Sequence, residues 1–184
     1  MLTPNLRTQL LSIARTSIES ALDGVRVRVD ESSLDPSLTR PAGAFVSLHT
    51  HDGDLRGCIG SIHAVAPLCH AVSSNAINAA FRDPRFYPLT REELPGVHIE
   101  ISVMSPIEVV TDVETIDVGR DGLIISRGGR AGLLLPQVAT EYGWDRETFL
   151  AQTCQKAGLP KDAWTRPETR IERFSAEVFC EPKR

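Results

Sequence analysis

The dipeptide Asp52-Gly53 lies between two runs of alternating apolar and polar residues, AFVSLHT before it and LRGCIGS after it. Such a dipeptide favours a two-residue type I′ turn, which needs positive φ at both positions and joins antiparallel strands. A turn at these two residues pairs His49 with Arg56 and Ser47 with Cys58. We therefore predict a β-hairpin, which must lie within an antiparallel sheet.

The predicted register divides the hairpin into two faces, because successive side chains on a strand point to opposite sides. The apolar face, which we expect to pack on the core, carries Val46, Leu48, Leu55, Gly57 and Ile59. The polar face carries Ser47, His49, His51, Asp54, Arg56 and Cys58. Cys58 is therefore predicted to stand on a polar face rather than in the core.

Helical periodicity predicts helices at 4–22, 67–81 and 145–157, and alternation predicts a strand in GVHIEISVMS at 96–105. The segment GLIISRGGRAGLLLP at 122–136 predicts a second hairpin. Because helices and strands do not alternate regularly, we predict an α+β fold with antiparallel or mixed sheets flanked by helices. A chain of 184 residues fits one domain.

Composition excludes two classes of partner. The formal net charge is -4, whereas nucleic-acid binding requires a basic excess on one face. No apolar run approaches the roughly 20 residues of a membrane helix, and the N-terminus is too polar for a signal peptide. We therefore expect a cytoplasmic protein that binds neither nucleic acid nor membrane. The cysteines lack the spacing of zinc or redox motifs, so we expect free thiols.

Cys58 is the candidate nucleophile, because it lies on the polar face between Gly57 and Gly60. A neighbouring Arg56 would favour the reactive thiolate, or would hold a carboxylate or phosphate of a ligand. Glu100, in the middle of its strand, is a candidate for moving protons. The alternatives are an inert thiol at position 58 and a carboxylate on the wet face of an antiparallel sheet at position 100.

His49 and His51 point the same way on one strand and raise the alternative of a metal site. Two histidines without further ligands are a weak indication, so we predict a solvated pair, with no metal and no cofactor. In RDPRF, Asp83 and Arg85 are either binding residues or a surface ion pair. Gln137 is either a binding residue or the start of a helix.

Several longer motifs follow one another in a fixed order. They are LRGCIGS at 55–61, DPRF at 83–86, REEL at 91–94, IEISVMSP at 99–106, LLLPQVATEYGW at 133–144 and FSAEVF at 174–179. In these motifs and their order the chain resembles the AMMECR domain family, known in bacteria and archaea as AmmeMemoRadiSam system protein A. The resemblance extends from about Gly43 to Glu181.

The resemblance implies that residues 1–184 form a single AMMECR-type domain. It also implies a larger lobe built from both chain ends, an inserted smaller lobe and a cleft between them, lined by LRGCIGS. Gly57, Gly60 and Ser61 of this motif are expected to be binding residues, and Asp83, Arg85 and Gln137 are the further binding candidates. His49 and His51 depart from the family's pattern, so a dyad of Cys58 with His49 would be particular to this chain.

Two functions are consistent with the sequence. Members of the family occur beside, or fused to, Memo-type and radical SAM proteins, and no settled activity comes with the family. The first hypothesis is a binding module that acts with these two partners through the LRGCIG cleft. The alternative is an enzyme that uses Cys58 as a nucleophilic thiol or covalent carrier for a small anionic substrate. The sequence leaves open whether the protein is an enzyme.

Overall fold

The computed structural model describes residues 1–25 and 28–182. Within these residues it has four α-helices and seven strands, so the predicted α+β fold is confirmed. The helices are α1 Pro4–Leu22, α2 Leu68–Phe81, α3 Pro136–Glu141 and α4 Arg146–Lys156. The strands are β1 Ala44–Thr50, β2 Leu55–Ser61, β3 Val97–Met104, β4 Glu108–Val109, β5 Asp121–Arg127, β6 Arg130–Leu134 and β7 Arg170–Cys180. No helix in the described ranges is both long enough and apolar enough to cross a membrane.

The chain divides into two compact units. Unit 1 comprises Met1–Met104 and Glu177–Arg184, and unit 2 comprises Ser105–Ala176. Each unit has a hydrophobic cluster of its own.

Unit 1 is a sheet with helices on one face. β1 lies between β2 and β3 and pairs antiparallel with both. The side chains of Val46, Ile99 and Ile101 are fully buried, and the apolar faces of α1 and α2 contribute Leu10 and Val72 to the same cluster. On the opposite side of the sheet the side chains are partly exposed. This side, called the open face below, carries Phe45, Ser47, His49, Leu55, Cys58, His98, Glu100 and Ser102.

The predicted hairpin forms as β1–β2, but the prediction of a two-residue turn is wrong. The Thr50 N–H donates to the Asp54 carbonyl over 2.8 Å, and the Gly53 N–H donates to the Thr50 carbonyl over 3.0 Å. These bonds enclose a three-residue loop, 51–53. Gly53 has a φ of 92°, whereas Asp52, like every other non-glycine residue described, does not adopt positive φ. A type I′ turn needs positive φ at both residues. Because Asp52 does not have it, residues 52–53 do not form such a turn, and the loop is one residue longer.

The longer loop changes the register near the turn. His49 pairs with Leu55, not with Arg56 as predicted, and Leu55 lies 38% exposed rather than in the core. Arg56 is then the extra residue of a β-bulge, which restores the predicted register beyond it. Ser47 therefore faces Cys58, as the sequence predicts.

Gly57 lets helix α2 pack directly on β2. A Cβ atom at Gly57 would lie 2.2 Å from the carbonyl oxygen of Ala79 in α2, much closer than any real contact. The obstacle is helix backbone, which cannot turn aside as a side chain can. The core-facing position predicted for Gly57 is confirmed, because the residue is buried against this helix.

Unit 2 contains β4, β5, β6 and the first part of β7, with helices α3 and α4. β5 pairs antiparallel with both β6 and β7. The predicted β5–β6 hairpin is confirmed, and it turns through Gly128-Gly129, both with positive φ. Asp145 caps α4 by accepting the Thr148 N–H over 2.8 Å. Phe149 of α4 is fully buried with Leu123 of β5 in the core of the unit.

The contact at Gly57 gives a test of the fold. Replacing Gly57 with alanine should lower the free energy of unfolding by about 3 kcal/mol, because the methyl group forces α2 away from the sheet. Gly96→Ala is the matched control, since a Cβ there would meet nothing within 4 Å. Urea denaturation of both variants measures the difference, and equal effects would contradict the packing described.

Candidate functional site

Cys58 lies on the open face of unit 1, half-buried, in a row of side chains that crosses three strands. Its neighbour across the hairpin is Ser47, which in turn faces Glu100 on β3. The Ser47 hydroxyl donates to the Cys58 Sγ over 3.2 Å. Neighbouring strands are about 4.8 Å apart, so Glu100 is about 10 Å from Cys58 at the backbone. The thiol is thus in contact with a hydroxyl, and Ser47 lies between Cys58 and Glu100 in the row.

The backbone of Cys58 is held from outside the sheet by an ion pair. In the described part of the chain β2 is an edge strand, so its outward N–H and C=O groups face away from any other strand. The Cys58 N–H donates to Asp83 Oδ2 over 2.8 Å, and Arg85 Nη2 donates to the Cys58 carbonyl over 3.3 Å. Asp83 and Arg85 therefore satisfy the polar groups that a further strand would otherwise pair with. This arrangement is called the edge clamp below.

Asp83 is a fixed anion. Its residue is only 3% exposed, and it accepts the Arg85 Nε over 2.9 Å and the Arg85 Nη2 over 2.7 Å. Hydrogen bonds from Arg85, and then from the Cys58 amide, outweigh the cost of burial and hold the pKa of the Asp83 carboxyl well below its usual range. The carboxylate therefore stays ionised at neutral pH and holds the backbone of Cys58 in place.

Arg56, the bulge residue, is engaged by Glu93. Its Nε donates to Glu93 Oε1 over 3.0 Å and its Nη2 to Glu93 Oε2 over 3.1 Å. Hydrogen bonds from Arg56, and then from the Thr90 amide, lower the pKa of the Glu93 carboxyl. The Phe86 ring adjoins both arginines, with its centroid 6.0 Å from the Arg56 Cζ and 5.5 Å from the Arg85 Cζ. The structure thus places the guanidinium of Arg56 on a carboxylate of its own chain.

The sequence of the chain is similar to those of known proteins. The AMMECR1 family model matches residues 11–179 of the chain. The chain belongs to the AMMECR1 family. A protein of Methanothermobacter thermautotrophicus is 48% identical over 179 residues, which cover 94% of this chain and 92% of that protein. A protein of Thermococcus gammatolerans is 45% identical over 181 residues, with coverages of 94% and 88%.

A solved structure agrees with this membership. The crystal structure of the uncharacterized protein PH0010 from Pyrococcus horikoshii has a TM-score of 0.83 to this chain and is 40% identical to it. The match covers 98% of this chain and 93% of that one. The resemblance seen in the sequence motifs is therefore confirmed at the level of family and fold.

The remaining predicted site residues of this AMMECR1 family chain are Gly60, Ser61 and Gln137. A Cβ at Gly60 would lie 2.4 Å from both the Ala44 carbonyl oxygen and the Phe45 ring, so Gly60 makes room for the backbone and the ring of the paired strand. Ser61 Oγ accepts the His63 N–H over 3.0 Å and closes the turn that follows β2. Gln137 lies in unit 2, at the start of α3. The structure thus joins Cys58, Asp83 and Arg85, while their roles toward a ligand stay predictions.

Several residues that build this site were not found from the sequence. Glu93 was missed, although Thr90 and Glu93 have the spacing of a capping box and bond each other's backbone N–H groups over 2.9 and 3.4 Å. His98 was missed as a neighbour of His49, to which it is paired across β1 and β3. Alternation along β3 already places His98 on the same face as Glu100.

The edge clamp predicts a pH-dependent effect on stability. Asp83→Asn should lower the free energy of unfolding by about 2 kcal/mol, because the Cys58 amide and Arg85 lose a charged partner. Since the carboxyl pKa is depressed in the folded state, its contribution is complete above the unfolded value of about 3.9 and is lost at lower pH. The difference from the unmodified protein should therefore be constant from about pH 8 to about pH 5 and shrink below about pH 4.

Denaturant unfolding across this pH range measures the effect. Asp54→Asn is the control, because Asp54 is exposed on the same hairpin and its backbone carbonyl, not its carboxylate, closes the loop. A difference that persists unchanged at about pH 3 would show that the Asp83 carboxylate is not the stabilising group.

Proposed function

We propose that the protein is a binding module that acts with Memo-type and radical SAM proteins, in the cytoplasm and without nucleic acid or membrane. One observation carries the proposal. Both arginines of the candidate site are neutralised by carboxylates of the same chain, Arg56 by Glu93 and Arg85 by Asp83. The charged residues of the motifs thus bind one another and form part of the surface around Cys58.

Ion pairs within the chain favour binding, because side chains that already hold one another lose less conformational freedom when a partner docks. The edge clamp also blocks strand addition at Cys58, since the polar groups of the edge are already occupied there. At Cys58 a partner would therefore contact side chains and not backbone groups. Next to the clamp, Tyr87 is 90% exposed, and the Arg85 side chain is 55% exposed. Tyrosine and arginine are the residue types enriched at the energetic centres of protein interfaces.

Binding measurements test this proposal with a matched pair of variants. Tyr87→Ala should weaken binding to the Memo-type or the radical SAM protein of the same host by about tenfold or more. Stability should not change, because so exposed a ring packs on little. Tyr142→Ala is the control, since Tyr142 is also exposed, at 68%, but lies in unit 2.

Isothermal titration with each purified partner gives the affinities. Loss of affinity confined to Tyr87→Ala supports the module. Failure of the unmodified chain to bind either partner, or equal losses in the two variants, would overturn the proposal.

The second candidate is an enzyme that uses Cys58 as a nucleophile or covalent carrier for a small anionic substrate. The observation that favours it is the contact of the half-buried Cys58 Sγ with the Ser47 hydroxyl, 3.2 Å away on the open face. Against it stands the pairing of Arg56 with Glu93, which leaves that guanidinium less free to bind an anion.

The rates of alkylation of two cysteines separate these candidates. Cys180 is exposed, whereas Cys58 is half-buried. A binding module should be modified first at Cys180, because access alone then governs the rate. An activated nucleophile should be modified first at Cys58, and Ser47→Ala should remove that advantage. Peptide mass spectrometry after brief treatment with iodoacetamide gives the order, and early modification of Cys58 would contradict the module.

A further inference from the structure

Two edge strands occur in the described part of the chain, and they differ. β2 is an edge strand in unit 1 and β6 is an edge strand in unit 2. At β2 the edge clamp occupies the outward N–H and C=O groups of Cys58. β6, by contrast, offers an outer side that no ion pair of the described residues closes. The difference makes β6 the strand at which a further strand can add.

The β5–β6 turn determines which groups of β6 point outward. Arg127 and Arg130 flank the two-residue turn, and residues in these positions are hydrogen-bonded to each other. Because bonded and non-bonded pairs alternate along antiparallel strands, Gly132 also bonds to β5, whereas the N–H and C=O groups of Ala131 and Leu133 point away from it. Among residues 1–25 and 28–182, no backbone group outside β5 bonds to β6 at these two positions.

β6 also lacks most of the features that prevent a further strand from adding. Such features are proline, a β-bulge, a very short strand and charged side chains along the edge. The pairing of β6 with β5 is regular, its five residues are an ordinary strand length, and Ala131 and Leu133 are uncharged. The side chain of Arg130 is bonded through Nη1 to the Gly158 carbonyl over 2.8 Å. Helix α4 packs on one face of the strand at Gly132, while Ala131 stays exposed.

The strand is complementary to itself. If two copies of β6 pair antiparallel about a two-fold axis at Gly132, Ala131 of one copy faces Leu133 of the other. Each such pair exchanges two N–H···O bonds and sets a small side chain beside a larger one. Arg130 faces Leu134 of the second copy, so the two arginines are not opposed and like charges do not weaken the pairing. At Gly132 no side chain stands between the strands.

We propose that the protein forms a symmetric dimer in which two β6 strands join edge to edge. Two-fold symmetry is the commonest among soluble oligomers and uses the same surface on both chains. Backbone hydrogen bonds supply the affinity, as they do when a peptide adds to a sheet edge. Because the strand is short, the interface is small and the dimer is weak, with a Kd on the order of 100 μM. At Cys58 the edge clamp prevents the equivalent pairing through β2.

Sedimentation velocity tests the proposal. Between about 10 μM and about 1 mM the unmodified protein should shift from one chain to two, because this range spans the expected Kd. Ala131→Pro should raise the Kd by about tenfold or more, because it removes the outward N–H that each copy donates. The fold should survive, since an edge strand accepts proline where its N–H faces solvent. Ala131→Ser keeps the N–H and is the matched control, with an unchanged Kd.

Hydrogen exchange in the unmodified protein gives a measurement that needs no variant. The amides of Ala131 and Leu133 should exchange several-fold more slowly at the high concentration than at the low one, because pairing protects them. The amide of Tyr87, which is exposed in unit 1, is the control and should not change. If Ala131→Pro does not fold, this measurement decides alone.

Three results would overturn the proposal. They are a single chain at every concentration, a dimer that Ala131→Pro leaves intact, and exchange of the Ala131 and Leu133 amides that does not depend on concentration. The protein is measured alone, so the outcome is independent of whether Memo-type or radical SAM proteins bind.

Discussion

A buried carboxylate at the edge of a sheet is the interaction on which the arrangement of the candidate site depends. Asp83 accepts the outward N–H of Cys58, and Arg85 both neutralises the carboxylate and donates to the carbonyl of the same residue. The edge strand is thereby satisfied without a further strand beside it. The clamp holds the backbone at position 58, while the pairing of β2 with β1 sets which side chains face the core and which face solvent.

The other features of unit 1 follow from this fixed strand. Gly57 can lie against helix α2 only if β2 stays at one distance from it. Arg56, displaced into a bulge, leaves the regular pairing and reaches Glu93. Four charged residues, Arg56, Asp83, Arg85 and Glu93, thus form two neutral pairs beside one aromatic ring. Such a group shapes a surface and leaves neither guanidinium without a carboxylate partner, which is the physical basis for proposing a binding module before a thiol enzyme.

Features that depend on neighbouring residues could be predicted from the sequence, whereas contacts between residues far apart in the chain could not. Local signals succeeded: the Gly128-Gly129 turn and the Asp145 cap rest on neighbouring residues alone. The Asp52-Gly53 turn failed because the dipeptide also fits a loop in which the glycine alone has positive φ. Spacing does not encode which distant residues meet, so it did not predict that Arg56 pairs with Glu93, 37 residues away. The same limit hid the pairing of His49 with His98, which depends on β1 and β3 being neighbours.

Hydrogen exchange at a single amide tests the central claim, that an ion pair closes the sheet edge at Cys58. An unpaired amide on an edge strand exchanges quickly, whereas one bonded to a buried carboxylate exchanges only when the clamp opens. The account predicts that the Cys58 amide is protected nearly as well as the amides in the centre of the sheet, and that Asp83→Asn removes this protection before the fold is lost. Rapid exchange of the Cys58 amide in the unmodified protein would contradict the account.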